Sequence, residues 1–419
     1  MEDQGRQIRK IIVEVTRPAY GGFFIGRHEG KVVMIKGAVL PGETVEAAVE
    51  NEKKDYLPAS VERILKPSAE RISPACGFFG RCGGCHFQHI PYDLQIKIKE
   101  QILTDCLKRL AGTGTELSGP VISGEQWNYR LRGQFKVSRE GMGFYREGTR
   151  ETVDIDGCRL MAPEINTYFR KAKTLLKGPG VKEIHITCGD CVVALLRTRA
   201  RSVSPADRSG LASRFFDAGF SGLVIETADK TVFQYGRSFV TLDTGTLKYT
   251  VSPMSFFQSN WRLNQAVVRI IRETLQPLGG RRILDLYAGA GNFSLPLAKD
   301  AEVTAVEENP YAVEDGMRNL QINNIKDCRF VRSSAEDFQP EGRFDIAILD
   351  PPRPGLTNRA MSKVLSVMPE RIVYISCNPA TFARDMKKLS VKYDIESIRI
   401  IDLFPQTFHI EALAFLRLK

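Results

Sequence analysis

The stretch ILDLYAGAGNFSLPLAKDAEVTAVE, residues 283–307, decides the fold of the C-terminal part of this 419-residue chain. It begins with the apolar run ILDLY (283–287) and ends with EVTAVE (302–307). Unbroken apolar runs of this length are typical of strands covered on both faces. FDIAILD (344–350) and RIVYIS (371–376) repeat the pattern, and helical stretches such as 312–323 and 381–389 separate the runs. Strands alternating with helices predict a doubly wound, Rossmann-like α/β sheet. Two last runs, 398–403 and 412–418, leave no room for a crossover helix between them. They are expected to pair antiparallel at the sheet edge.

The loop after the first strand reads Asp285-Leu-Tyr-Ala-Gly-Ala-Gly-Asn. Gly289 and Gly291 allow a tight turn and a close approach to a ligand. The third glycine of the dinucleotide fingerprint is replaced by Ser294, which weakens a nicotinamide reading. A loop with no phosphates to cradle suits the methionine end of S-adenosylmethionine. Glu307 closes the next strand, where a carboxylate can hold both ribose hydroxyls, and Asp350 ends FDIAILD in Asp-Pro-Pro-Arg. Asp285, Gly289, Gly291, Glu307 and Asp350 are therefore candidate cofactor residues, and a methyltransferase domain is the reading they favour.

Ser376-Cys377-Asn378-Pro379 follows the strand RIVYIS. A thiol at a strand end, close to a helix N-terminus, is expected to be exposed and to have a lowered pKa. Such a thiolate can add to an electrophilic carbon of a substrate. Chemistry of that kind also calls for a nearby base to take up a proton. Glu411 and His409 both lie near the start of the last strand, and the residues alone leave the choice between them open.

Upstream, the first 66 residues read as short strands (11–15, 32–35, 43–49, 60–65) broken by Gly21-Gly22, Gly37 and Pro41-Gly42. They predict a small OB-like barrel. Residues 93–110 form one expected helix with Leu94, Ile98, Ile102, Leu103 and Leu110 on its apolar stripe. From 129 to 249 the pattern is mainly β, interrupted by one helix at 162–176. The expected domains are thus 1–66, a central 67–250 and 251–419.

Cys76, Cys82 and Cys85 form a tight set among glycines, with Cys158 as a fourth thiol. Four thiolates suit an iron–sulfur cluster or a structural zinc ion, and the residue types leave these level. Cys188 and Cys191 fall at a hairpin turn and read as structural. The net charge is +10, and the centre holds most of it, with 26 basic against 19 acidic residues in 67–250. Such a balance suits a nucleic-acid partner. Arg130, Arg132, Lys136, Arg139, Arg146 and Arg150 alternate there with Tyr129, Phe135, Phe144 and Tyr145, a pattern suited to RNA. No apolar run approaches the roughly 20 residues of a membrane span. The polar 1–10 segment is no signal peptide, so a cytoplasmic placement is the default.

Together these motifs resemble the bacterial RNA uracil-C5 methyltransferases that make 5-methyluridine in 23S rRNA and tRNA. The resemblance covers nearly the whole chain. It implies that the N-terminal barrel is a TRAM module and that Cys76, Cys82, Cys85 and Cys158 carry a [4Fe–4S] cluster. Ser-Phe-Phe-Gln-Ser-Asn at 255–260 is similar to the family's F-x-Q-x-N motif. Gln258, Tyr287, Asn292, Glu307 and Asp350 are then implied to contact S-adenosylmethionine. Phe256 and Asp350, with Arg130 and Arg132, are expected to contact the RNA. Cys377 is implied to be the nucleophile and Glu411 the base. Gln406 and Ser259 depart from the family pattern and blur the subfamily, with 23S rRNA expected first and tRNA second. A monomer is expected. Two rivals remain: a nitrogen methyltransferase, which also uses Asp-Pro-Pro, and a non-catalytic RNA-binding or redox-sensing protein.

Overall fold

Residues 9–112, 116–176 and 180–419 are described by the computed structural model. The N-terminal strands are β1 (Lys10–Ala19), β2 (Phe23–His28), β3 (Lys31–Lys36), β4 (Thr44–Val49) and β5 (Tyr56–Lys66). They close a barrel in the order β1-β2-β3-β5-β4. On β1, Ile11, Val13 and Val15 alternate inward, as period-two patterning requires. The sequence reading passed over β2. Gly26 stands at an inward position, where a Cβ would lie 2.4 Å from Val13 and 2.5 Å from the Glu14 carbonyl. The close packing that demands glycine there also erases the alternation that would have marked the strand.

Helix α1 (Tyr92–Cys106) continues as a π-helical turn, Leu107–Ala111, instead of remaining α-helical to residue 110. The wider turn shifts the register of the stripe. Leu107 and Ala111 face inward, and Leu110 is left exposed. Ile98, Ile102 and Leu103 are buried in a core that the barrel shares with one face of the C-terminal sheet.

The central region contains β6 (Arg132–Val137), β7 (Met142–Tyr145), β8 (Thr152–Asp154), α2 (Pro163–Leu175), β9 (Val181–Cys188), β10 (Val192–Thr198), α3 (Pro205–Asp217), β11 (Gly222–Glu226) and β12 (Val232–Gly236). Its strands form one sheet in the order β12-β11-β10-β9-β6-β7-β8. Two helices interrupt the strands, not the single one expected. The overlooked α3 carries ordinary start signals: Pro205 in the first turn and Ser204 as N-cap, accepting from the Asp207 amide at 3.1 Å. A hairpin of β13 (Val240–Asp243) and β14 (Lys248–Val251) follows, and Asn319 holds it through the Thr250 amide.

The C-terminal region runs α4 (Trp261–Thr274), β15 (Arg282–Leu286), α5 (Ser294–Leu297), β16 (Glu302–Glu307), α6 (Pro310–Ile322), β17 (Cys328–Arg332), β18 (Ile346–Leu349), α7 (Asn358–Val367), β19 (Arg371–Ser376), α8 (Pro379–Leu389), β20 (Tyr393–Ile401) and β21 (Glu411–Leu418). The sheet order is β17-β16-β15-β18-β19-β21-β20. The first five strands are parallel, and β21 runs antiparallel to both of its neighbours, so the expected edge pair forms. Strand order reverses between β15 and β18. At such a switch point the carboxyl ends of the strands leave a crevice for a ligand.

Candidate active site

The crevice is a cleft of about 810 Å³. Gln258, Tyr287, Gly289, Glu307, Asp350, Cys377, His409 and Glu411 all line it, as do Phe256, Arg130 and Arg353. Residues as far apart in the chain as Arg130 and Glu411, 281 positions, thus meet at one edge of the sheet. The glycine loop is fixed by left-handed φ at Tyr287 (65°), Gly289 (56°) and Gly291 (92°). Glu307 accepts the Gly289 amide at 2.9 Å on one carboxylate oxygen and the Asn309 amide at 2.8 Å on the other. These bonds fix its carboxylate at the cleft wall. Asn292 lines a small adjoining cavity with Gln258, Tyr287 and Asp350.

Three expected site residues lie elsewhere. Asp285 is fully buried within β15, where the Ser294 hydroxyl donates to it, and it supports the loop from behind. Burial pushes its carboxyl up to about 7. Gly291 serves packing, because a Cβ there would lie 2.0 Å from Leu295. Arg132 was expected to reach RNA but is buried. Its guanidinium donates to Ser252 O at 2.8 Å, Ser255 O at 2.5 Å and Thr187 Oγ1 at 3.0 Å, and it lies 4.5 Å from the Phe257 ring centroid. Arg132 is therefore the clamp of the 252–257 turn, which leaves Phe256 67% exposed at the cleft. Arg132→Met is expected to cost roughly 1–3 kcal/mol in urea unfolding, because it strands the buried Ser255 carbonyl.

Nearby in sequence, Phe135 is a core residue, Lys136 pairs with Glu183 at 2.8 Å and Arg146 with Glu151 at 3.0 Å. Of the expected basic run, Arg130 alone lines the cleft; Arg139 and Arg150 are exposed elsewhere. Arg353 was missed, although its place beside Asp350 in Asp-Pro-Pro-Arg was a visible cue.

Cys377 is held at the end of β19 by the turn into α8, whose N-cap Asn378 accepts the Ala380 amide at 3.0 Å. The expected depression of its pKa is overturned. Burial, and then the facing carboxylates of Glu411 and Asp350, push the thiol up to about 12; Arg353 opposes them. Glu411 is 4% exposed, and burial followed by Asp350 holds its carboxyl well above the usual range. Asp350 is pushed up to about 7 by burial. His409 moves the other way, down to about 3, through burial and the Arg353 charge.

The four thiols Cys76, Cys82, Cys85 and Cys158 line a separate cavity of about 250 Å³. Phe78, Phe79, Phe144 and Met161 form its apolar wall, and Arg130 lies between this cavity and the cleft. Burial raises Cys85 to about 12 and Cys158 to about 11, with the neighbouring thiols adding to the effect. Among the described residues no three His, Cys, Asp or Glu side chains converge on a point where a single ion would bind. Cys188 is buried at the β9–β10 turn, in a structural setting. No helix among the described residues is long and apolar enough to cross a membrane.

A doubly wound sheet with a glycine loop, a strand-end Glu307 and a cleft at the switch point defines an S-adenosylmethionine-dependent methyltransferase. Residues 91–419 match the family described as tRNA (Uracil-5-)-methyltransferase, and residues 6–61 match the TRAM domain. The chain belongs to this family of RNA uracil-C5 methyltransferases. It is 33% identical to the 23S rRNA (uracil(1939)-C(5))-methyltransferase of Shewanella amazonensis, over 98% of this chain and 96% of that protein. An RNA methyltransferase of Aquifex aeolicus is 34% identical over 98% and 99%. The solved tRNA (uracil-54, C5)-methyltransferase of Pyrococcus abyssi, bound to S-adenosyl-L-homocysteine, superposes with a TM-score of 0.76 at 27% identity, covering 96% of this chain and 99% of that one.

Proposed function

We propose that this enzyme methylates carbon 5 of a uridine in 23S rRNA through a covalent bond between Cys377 and carbon 6. The observation that carries the reading is the meeting of Cys377, Glu411 and Asp350 in one cleft beside the glycine loop. S-adenosylmethionine supplies an electrophilic methyl group, and the cleft volume is ample for a donor and a flipped base. The Cys377 sulfur adds to carbon 6 as its proton leaves to solvent, and carbon 5 becomes an enolate carbon. Carbon 5 takes the methyl group as the donor's sulfur–methyl bond breaks, which leaves S-adenosyl-L-homocysteine. Glu411 then removes the remaining carbon 5 proton, the electrons form the carbon 5–carbon 6 double bond, and the carbon–sulfur bond breaks. A carboxyl with a raised pKa is better matched to that transfer near neutral pH than an imidazole held near 3. Gln258, Tyr287, Asn292, Glu307 and Gly289 are the residues proposed to hold the donor. Phe256 and Arg130 are proposed to face the RNA.

The rRNA assignment is supported by the full-length likeness to rRNA-acting relatives. The likeness to a tRNA-acting enzyme keeps tRNA as the second reading. Unmodified 23S rRNA and tRNA transcripts, methyl-labelled donor and nucleoside mass spectrometry separate them. Labelled 5-methyluridine in 23S rRNA alone is expected, and label confined to tRNA overturns the assignment.

For the thiol cavity we propose a [4Fe–4S] cluster. A single zinc ion needs its sulfurs at about 2.3 Å from one point, whereas a cluster takes one thiolate at each of several irons. Four thiols lining one cavity of about 250 Å³, roomier than a single ion needs, support the cluster. Cys76, Cys82, Cys85 and Cys158 would hold it, with a role in shaping the fold, since methyl transfer needs no electron. Iron with acid-labile sulfide in the purified protein is expected; stoichiometric zinc without sulfide would contradict it.

A further inference from the structure

The segment leading into Glu411 is held carbonyl by carbonyl from distant parts of the chain. Leu403 O accepts from Asn260 Nδ2 at 3.1 Å. Phe404 O accepts from Lys99 Nζ at 3.1 Å. Pro405 O accepts from Tyr129 Oη at 3.1 Å. Gln406 O accepts the His86 and Phe87 amides at 2.9 and 3.0 Å. The Gln406 amide donates to Gln95 Oε1 at 3.0 Å. Four consecutive carbonyls thus have donors from the start of α4, from α1, from the approach to β6 and from the loop after Cys85.

At the centre of this grip lies an ion pair with no solvent exposure. Lys99 Nζ is 2.6 Å from Asp402 Oδ1, both side chains are 0% exposed, and Tyr92 Oη donates to Asp402 Oδ2 at 2.8 Å. Burying two charges is costly, and well-packed apolar residues in such places often give equal or greater stability. Such a pair can serve to fix geometry instead of adding stability, and here the ammonium is also bonded to Phe404 O, in the segment that leads to Glu411. Lys99 also faces Glu411 and His409 electrostatically.

We propose that Lys99, through its bonds to Asp402 and Phe404 O, is a positioning residue that holds the 402–411 segment so that Glu411 meets the proton on carbon 5. This rests on Glu411 being the base. The step it serves is the last one, proton removal and release of sulfur. A displaced Glu411 therefore slows breakdown of the covalent complex more than its formation.

The test uses the full-length enzyme with 23S rRNA transcript and labelled donor. The variants are the double substitution Lys99→Met with Asp402→Leu, and, should that fail to fold, the single Lys99→Gln. Melting temperature, donor affinity, kcat and the amount of RNA linked to protein on a denaturing gel are read together. For the double variant we expect a melting temperature and donor affinity close to wild type, kcat down about 10- to 100-fold, and an accumulated RNA–protein complex that Cys377→Ala abolishes. Normal turnover in a folded variant overturns the proposal. So does slower turnover without accumulated complex, which places the defect at another step. Glu411→Gln is run beside them: if it fails to trap the complex, the base assignment has failed, whereas trapping there but not in the Lys99 variants defeats only the positioning role.

Discussion

Replacing Cys377 by alanine lowers kcat for 5-methyluridine formation by at least about 10⁴-fold and leaves binding of S-adenosylmethionine within about twofold. Carbon 5 of uracil is too weak a nucleophile to take a methyl group until a group at carbon 6 breaks the ring conjugation. No other thiol lines the cleft. The thiol contributes little to the fold, since it is only half buried and ends a strand whose hydrogen bonds are backbone ones. Calorimetric titration with the donor and label incorporation into RNA check the two halves of the prediction. Turnover retained by the variant would favour the nitrogen-methylating rival, which needs no nucleophile.

The same thiol gives a signature in pH. In the free enzyme, Cys377 is pushed up to about 12 and Asp350 up to about 7. The reactive form of Cys377 is the deprotonated one, so the sign is fixed: kcat/KM, which reports the free enzyme, rises with pH. It should continue rising from about pH 6 to about pH 10, past the levelling above about pH 9 that a cysteine of ordinary pKa near ~8.5 would give. A profile that levels at or below about pH 9 would show that the carboxylates and burial do not govern the thiol.

The α/β half of the molecule was legible because its strands are buried on both faces and therefore read as apolar runs. Its strand ends also named most of the cleft, since Glu307, Asp350 and Cys377 each follow such a run. What escaped was whatever depended on residues far apart in sequence. Gly26 hid a barrel strand because its reason for being glycine is the neighbouring strand. Arg132 resembled an RNA-binding arginine until its partners, 55 to 123 positions away, were known. Asp285 lies in the right motif but is buried behind the loop, against Ser294. The Lys99–Asp402 pair spans 303 positions, and nothing local marks Lys99 as different from the exposed charges of α1. The thiol pKa was misjudged for a related reason. A helix N-terminus is readable in sequence, but the opposing carboxylates reach Cys377 from two other strands.

Glu411→Gln leaves the first half of the reaction intact and blocks the second. The amide has the carboxyl's shape and removes its proton-accepting capacity, so sulfur still bonds to carbon 6 and carbon 5 still takes the methyl group. With no base to remove the carbon 5 proton, the methylated RNA stays attached to Cys377. Turnover should fall about 10²- to 10⁴-fold, the range for a positioned general base. Close to one labelled RNA per enzyme should survive denaturation as a covalent complex. The outcome also decides between Glu411 and His409, which line the same cleft. If His409 were the base, the Glu411 variant would release its product and a His409 variant would trap it. The environments argue for the opposite result. Burial and the Arg353 charge hold the imidazole near 3, so it has little affinity for a proton at neutral pH. Burial and Asp350 raise the affinity of Glu411 for the proton it has to take.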